Sequence, residues 1–410
     1  MTPAMAITAL AGLAAAGWAY LLLAHGGFWR LREWLPPAPV RAGWPPVVAL
    51  VPARDEAATI GETVRAILGQ DYPGPLRLVV TDDQSGDGTA DVARAAAAAL
   101  GAGARLTVVA GRAPPPGWTG KLWALAQARA AAEGSDTPEA PDAPVFFWLS
   151  DADITHAPDT LRRLVAKALD DDRDLVSLMV RLDTGGFWAR LLIPPFVFFF
   201  RMLYPFAWAA SPRRRLAAAA GGCVLLRATA LARAGGFESV AGALIDDCAL
   251  AARVKAEGRP GGGRIWLGQE PTARSLRPYQ GLGEIWRMVA RSAYAQLGFA
   301  PWRLAGAVAG LTLLFLVPPA AVLLLPWHGS AAGAALGAAT WAAMAAAEVP
   351  TLRHDGRSPL WGVALPLAAA LYMAMTLDSA RAHALGRGGW WKGRAQAARA
   401  LGDRGDASSG

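Results

Sequence analysis

Cysteine is almost absent: the chain of 410 residues has two, Cys223 and Cys248. Two thiols build neither a disulfide framework nor a four-ligand zinc site, and the five histidines are scattered without metal-ligand spacing. Disulfide-stapled scaffolds and zinc modules are thereby excluded, and a reduced, cytoplasmic functional face is expected. Charge is scarce too, at 18% of residues, and lysine scarcer still, with only Lys121, Lys167, Lys255 and Lys392 in an Arg-biased chain. What abounds is apolar: 54% of residues are hydrophobic and the mean hydropathy is +0.27. That composition departs from a soluble globular protein and points to a membrane component. The net charge of +8 would suit nucleic acid, anionic lipid or a phosphorylated substrate. Because the basic residues gather beside the apolar segments, anionic lipid is expected as the partner and nucleic acid is not.

Residues 4 to 23 hold no charge and, at about 1.5 Å per residue, span about 30 Å, the thickness of a bilayer's hydrocarbon core. A cleaved signal peptide is the alternative, but no Lys or Arg precedes the run and it is long for an h-region. Residues 1–30 are expected to be an anchor, and Arg30, Arg32 and Arg41 just beyond it then place the following chain in the cytoplasm. Three more apolar segments lie near 304 to 325, 331 to 349 and 360 to 377, within a C-terminal membrane region of residues 302–380. The second is weak in hydrophobicity, and the third is short and holds Pro366. Three crossings would leave the basic tail, 381–410, with Arg381, Arg387, Lys392 and Arg394, on the outer side against the positive-inside rule, so one of the last two is expected to cross incompletely.

Between these regions, from about residue 45 to 300, the texture is α/β. VVALVPA, LRLVVTDD, RLTVVAG and VFFWLSD are short apolar runs ending in polar or small residues, with Ala-rich helical stretches between them. That alternation predicts a mostly parallel sheet whose ligands sit at the carboxyl ends of its strands. The stretch 134 to 144 is expected to be a Pro-rich acidic surface loop. Residues 187 to 210, FWARLLIPPFVFFFRMLYPFAWAA, could span, but Arg201 would then lie near mid-membrane, and the acids near 151 and 246 would fall on opposite sides. An interfacial helix is expected, aromatics down and arginines toward lipid phosphates, with a core helix as the alternative.

Polar residues cluster where the strands end. Pro52, Ala53, Arg54, Asp55 and Glu56 follow the first strand, and Asp82, Asp83, Ser85 and Asp87 follow the second, where a solvated Asp-Gly turn is the alternative. Asp151 and Asp153 follow the fourth on alternate positions, a spacing that suits Mg²⁺ or Mn²⁺ bridged to a diphosphate. Lys121 stands at a predicted helix start, either as a functional cation or as a helix-cap charge. Gly221 and Gly222 precede CVLLR and would let a ligand come close. In IDDC, Asp246 could cap a helix, leaving Asp247 as a candidate base. Arg287 and Arg291, four residues apart, could face a diphosphate or the headgroup layer.

In their order and spacing these motifs resemble a family 2 glycosyltransferase with a GT-A fold: VPARDEAATI and TDDQSGDGTAD as nucleotide-binding strands, DAD as the metal motif, IDD as the acidic base motif. The resemblance implies that Pro52, Ala53, Arg54 and Glu56 contact the nucleotide, that Asp82 and Asp83 read a uracil ring, and that Asp151 and Asp153 hold ribose and metal. With GWTGKLWAL, WWKGR and the terminal apolar segments, the chain looks most like the membrane-bound branch associated with hopanoid biosynthesis. Two motifs depart from the family. The base motif is Asp246-Asp247 where Glu-Asp is usual, and the Gln-x-x-Arg-Trp of processive enzymes appears only as EIWRM, with Glu284 and Met288 replacing Gln and Trp. The expected activity is inverting transfer from a nucleotide sugar, UDP-linked, to a membrane lipid at the inner membrane. A processive polysaccharide synthase and a catalytically silent membrane scaffold are the alternatives.

Overall fold

The computed structural model describes residues 2–134, 146–386, 390–391 and 394–395. The acidic loop expected at 134 to 144, beyond Gly134, lies outside these residues, as do Arg387, Lys392 and the side chain of Arg394. The chain divides into two units.

The first comprises Glu33–Asp183 and Trp208–Arg277, built on an eight-stranded sheet of order β3-β2-β1-β4-β7-β6-β8-β5. The strands are β1 (Val47–Ala53), β2 (Leu76–Asp82), β3 (Leu106–Ala110), β4 (Phe146–Ser150), β5 (Ile154–Thr155), β6 (Leu175–Arg181), β7 (Cys223–Arg227) and β8 (Ile265–Ser275). β1 is apolar throughout because both its faces are covered. Val47, Ala49 and Val51 pack on one side with Ile60 and Val64 of α2 (Ile60–Leu68) and Ala93 of α3 (Thr89–Ala99). Val48 and Leu50 pack on the other with Leu122 and Leu125 of α4 (Gly120–Glu133). The helices joining β1, β2 and β3 thus lie on one face, and the helix joining β3 to β4 lies on the other. The chain therefore reverses its winding between β1 and β4, which are parallel neighbours, and a crevice opens at their carboxyl ends. Beyond β4 the sheet departs from strict parallelism, because β7 runs antiparallel to both β4 and β6.

The second unit gathers Met1–Arg32, Thr184–Ala207 and Pro278–Ala398. Four of its helical segments are long and apolar enough to cross a membrane: Pro3–Leu23, Pro301–Leu323, Ala331–His354 and Pro359–Ala384. The last, expected to be short, extends over 26 residues, because a 3₁₀ turn at Pro359–Ala364 leads into the helix Leu365–Ala384. Small residues set the helix spacing. A side chain at Gly337 would meet the Pro318 carbonyl at 2.6 Å, and one at Gly17 would meet Leu314 at 2.5 Å. The first of these helices, α1 (Pro3–Leu23), is opened by Thr2, whose hydroxyl accepts from the Met5 amide.

Phe187–Leu203 of the same unit form one helix, interrupted by neither Pro194 nor Pro195. Its Arg201 does not face lipid phosphates as expected. The side chain is 2% exposed, donating from Nε to the Phe28 carbonyl at 2.7 Å and from Nη2 to that of Arg30 at 2.5 Å, with its guanidinium 4.4 Å from the Phe206 ring. A buried cation needs such acceptors, and the turn after α1 supplies them.

Candidate active site

The crevice gains its side chains from four strand ends and two helix starts. At the end of β1, Arg54 reaches across to the turn after β2, its Nη1 donating to the Asp83 carbonyl at 2.9 Å and lying 3.6 Å from the Asp83 carboxylate. Asp83 is buried, so the guanidinium supplies the cation its charge requires. The neighbouring carboxylate of Asp82 accepts from the Ser85 amide at 3.0 Å. Four further bonds of 2.9 Å lace the two loops together: Asp55 N–H to the Ser85 hydroxyl, Gly86 N–H to Asp55, Ala57 N–H to Asp87, and Glu56 N–H to the Thr89 hydroxyl. The adjacent aspartates are thus separately satisfied, and the turn is built rather than merely solvated.

Lys121 occupies the second position of α4, after the capping Thr119, where the helix dipole disfavours a cation. Tertiary partners overrule it. Its ammonium lies 2.8 Å from Asp151 and 3.3 Å from Asp246. Burial opposes the charged form, but Asp151, Asp246 and Asp247 together outweigh it and hold the ammonium well above the ordinary lysine value. The helix-cap alternative therefore does not explain this lysine.

Asp246 and Asp247 open the helix Asp246–Glu257, with Ile245 rather than Asp246 at the cap position. Asp247 is held at both oxygens, accepting from the Gly221 amide at 2.8 Å and from the Cys248 amide at 2.7 Å. Burial and the adjacent Asp246 push its carboxyl up to about 6, against the pull of Lys121. Gly221 matters sterically, since a Cβ there would lie 3.1 Å from the Lys121 nitrogen and 3.3 Å from an Asp247 oxygen. Pro52, Ser150, Asp151, Lys121, Asp246 and Asp247 line one cleft.

Asp153 stands beside it. Burial, Asp151 and Glu56 push its carboxyl up to about 6, with Arg277 opposing, and its Oδ2 is 3.4 Å from the Ser275 hydroxyl. Ser275 and Arg277 went unnoticed in the sequence; they approach from the end of β8, more than a hundred residues on, with no motif around them. Among the described residues no three His, Cys, Asp or Glu side chains gather as a metal cluster. Arg287 and Arg291 belong to the helical unit, Arg287 in the last turn of the helix Leu282–Ala290 and Arg291 at its C-cap.

Residues 45–295 match the family described as Glycosyltransferase like family 2. The chain belongs to that family. It is a glycosyltransferase with a GT-A fold, acting on a nucleotide-sugar donor. The fold is similar to that of the mannosyltransferase PcManGT from Pyrobaculum calidifontis, solved in complex with GDP-Man and Mn²⁺, with 22% identity over 93% of this chain and 98% of the other and a TM-score of 0.53. Glucosyl-3-phosphoglycerate synthase from Mycobacterium tuberculosis, in complex with Mn²⁺ and UDP-glucose, aligns over 66% of this chain and 88% of its own at 20% identity, with a TM-score of 0.37. No curated protein sequence matches the chain. In this glycosyltransferase Pro52 of β1 and Asp151 after β4 line the same cleft as the Lys121 carboxylate cluster.

Proposed function

We propose that this glycosyltransferase is an inverting enzyme that moves one sugar from a UDP-sugar to the hydroxyl of a membrane lipid. The observation that carries the reading is the convergence of Asp151, Asp246 and Asp247 on Lys121 in a single cleft, in a chain with four helices fit to cross a membrane. The donor base would lie against Asp82, Asp83 and Arg54, with Pro52, Ala53 and Glu56 along the nucleotide. The diphosphate would reach Lys121, and Arg287 and Arg291, in the helical unit, would serve the headgroup layer.

The donor set fits a hard divalent cation, Mg²⁺ or Mn²⁺, held by Asp151 and Asp153. Burial first, and then Asp151 and Glu56, disfavour the negative charge of Asp153, a cost that a cation held there would offset. The Pyrobaculum enzyme's GDP-Man and Mn²⁺ are in keeping with this pairing. When bound, the ion supplies positive charge to the leaving diphosphate. The chain's own groups do the rest. Asp247, fixed by two amides, accepts the proton of the acceptor hydroxyl as that oxygen bonds to the anomeric carbon. The bond to the diphosphate breaks on the opposite face, which inverts the centre in one displacement.

A hopanoid-related acceptor, at the inner membrane with the catalytic unit in the cytoplasm, is the finer reading; GWTGKLWAL at 117–125 and WWKGR at 390–394 support it. Comparing the lipid extract of a deletion strain with its parent by mass spectrometry tests the acceptor. A glycosylated polycyclic lipid missing from the deletion strain is expected. Identical lipids, with purified protein elongating a water-soluble glycan instead, would give the function to a polysaccharide synthase.

A further inference from the structure

The turn Asp151-Ala152-Asp153 is held by its backbone as much as by its side chains. The Ala152 carbonyl accepts from the hydroxyl of Thr63 at 2.9 Å, in a buried contact across 89 positions of sequence. Thr63 lies in α2 and is 0% exposed. A threonine inside a helix commonly turns its hydroxyl back to its own helix; this one reaches out to the turn instead. The Asp153 carbonyl accepts from the Leu276 amide at 2.7 Å. The Asp151 carbonyl receives the Ser150 hydroxyl at 3.3 Å, and that hydroxyl lies 2.9 Å from Nε2 of the buried His156. All three carbonyls are therefore tied, that of Asp151 by its neighbour Ser150 and the other two by α2 and the chain just past β8.

We propose that Thr63 is a positioning residue that fixes the Asp151-Ala152-Asp153 turn so that both carboxylates are set for a divalent cation before it arrives, with Ser150 and His156 supporting the same turn from below. The proposal rests on the reading that Asp151 and Asp153 hold the cation. Its physical basis is the cost of ordering. Two carboxylates that repel each other gain from separating, and a turn free to move would let them; a turn anchored at every carbonyl does not. Residues that orient ligands without touching the ion typically change metal affinity by about 10- to 100-fold when lost.

The test is Mn²⁺ alone, titrated into the purified full-length protein in detergent and followed by loss of the free-ion electron paramagnetic resonance signal. Thr63→Val keeps the shape and removes the donor; its dissociation constant for Mn²⁺ should rise about 10-fold at unchanged stoichiometry. Thr63→Ser, which restores the hydroxyl, should bind within about twofold of the parent chain on the same scale. A merely structural threonine would lower the stoichiometry, as the folded fraction falls, and leave the constant of the folded protein alone; that result overturns the proposal. Asp153→Ala separates the two levels of inference. If it binds Mn²⁺ like the parent chain, the cation reading itself fails. If it loses binding while Thr63→Val keeps it, the reading stands and Thr63 has no positioning role. Should Thr63→Val fail to fold, Ser150→Ala carries the same test, and an unchanged constant there overturns the proposal.

Discussion

Lys121 shows how a single residue can be placed against its local preference. The start of α4 disfavours a cation, yet three carboxylates surround this one, so its position is bought by the site and not by the helix. The same crowding sets the behaviour of Asp247. Its carboxyl is pushed up to about 6 by burial and by Asp246, so the form able to accept a proton is complete above that pH and is lost as the pH falls through it. Transfer should accordingly decline below about pH 6. Asp153 titrates in the same range, but its shift comes from burial, Asp151 and Glu56. Asp246→Asn therefore tells the two apart: it removes the like charge beside Asp247 and should move the acid limb of kcat to lower pH, and a limb that stays in place would assign it to Asp153. Asp247→Asn should lower kcat by about 10²- to 10⁴-fold, the usual contribution of a positioned base, with donor affinity by calorimetry little changed. Loss of donor binding would make Asp247 a donor ligand instead. Gly221→Ala should displace both the Lys121 ammonium and the Asp247 carboxylate, for which the gaps are 3.1 and 3.3 Å. It is expected to cut kcat/KM while the melting temperature holds, and an unchanged kcat/KM would show that the pair has room to give.

At the scale of elements, β1 to β4 were legible because each is an apolar run that stops abruptly at polar or small residues. β8 was not, since its second half, QEPTARS, carries no apolar run, and its pairing with β6 is a tertiary fact. Asp151 and Asp153 were legible as a motif; the Thr63, Ser275 and Leu276 contacts that secure them were not, because no local pattern announces a partner so distant in the chain. The helical unit holds a comparable case. Pro318 has no amide hydrogen, and the helix widens into a π turn at Thr312–Leu316 just before it. The Leu314 carbonyl there accepts from the Trp18 indole at 2.8 Å, a donor lent by α1 where water is absent. Trp18→Phe should destabilise the unit by about 1 kcal/mol, the scale of a hydrogen bond between membrane helices. Pro318→Ala, which restores a backbone donor, should reduce that loss when the two changes are combined, as unfolding in detergent would measure; strictly additive effects would mean that the indole serves packing alone. Aromatic packing decides another expectation. Phe198 stands edge-on to Phe28 at 5.2 Å, and Phe199 to Phe315 and Tyr372 at 5.3 Å each. Phe198 is thus buried in the unit's core with Phe199 packed against it, and exchanging the two for Ser should unfold the unit rather than weaken lipid handling selectively.

For the whole molecule, charge and helix length argue in opposite directions over an even or odd number of crossings. The arginines after α1 favour a cytoplasmic position for the chain that follows. Three further crossings would return the end of the chain to the outer side, whereas a basic tail favours the inner one. The segments Ala331–His354 and Pro359–Ala384 are 24 and 26 residues long, enough for about 30 Å of hydrocarbon at about 1.5 Å per residue, so length supports full crossings by both. A pair of tightly packed helices can carry an unfavourable tail because the flanking charges bias orientation without dictating it, and the first helix usually dominates. Both native cysteines are buried, which makes cysteine labelling in intact cells selective for introduced sites. Arg213→Cys, at an exposed position of the catalytic unit, should react with a membrane-impermeant maleimide only after lysis. Gly386→Cys, just past the last helix, should react in intact cells if all four segments cross. Protection at Gly386 until lysis would mean an odd number of crossings, with one of the last two segments lying in the membrane without traversing it. Reaction at Arg213 in intact cells would place the nucleotide-sugar crevice on the side without cytoplasmic donors and remove the basis for transfer from a cytoplasmic pool.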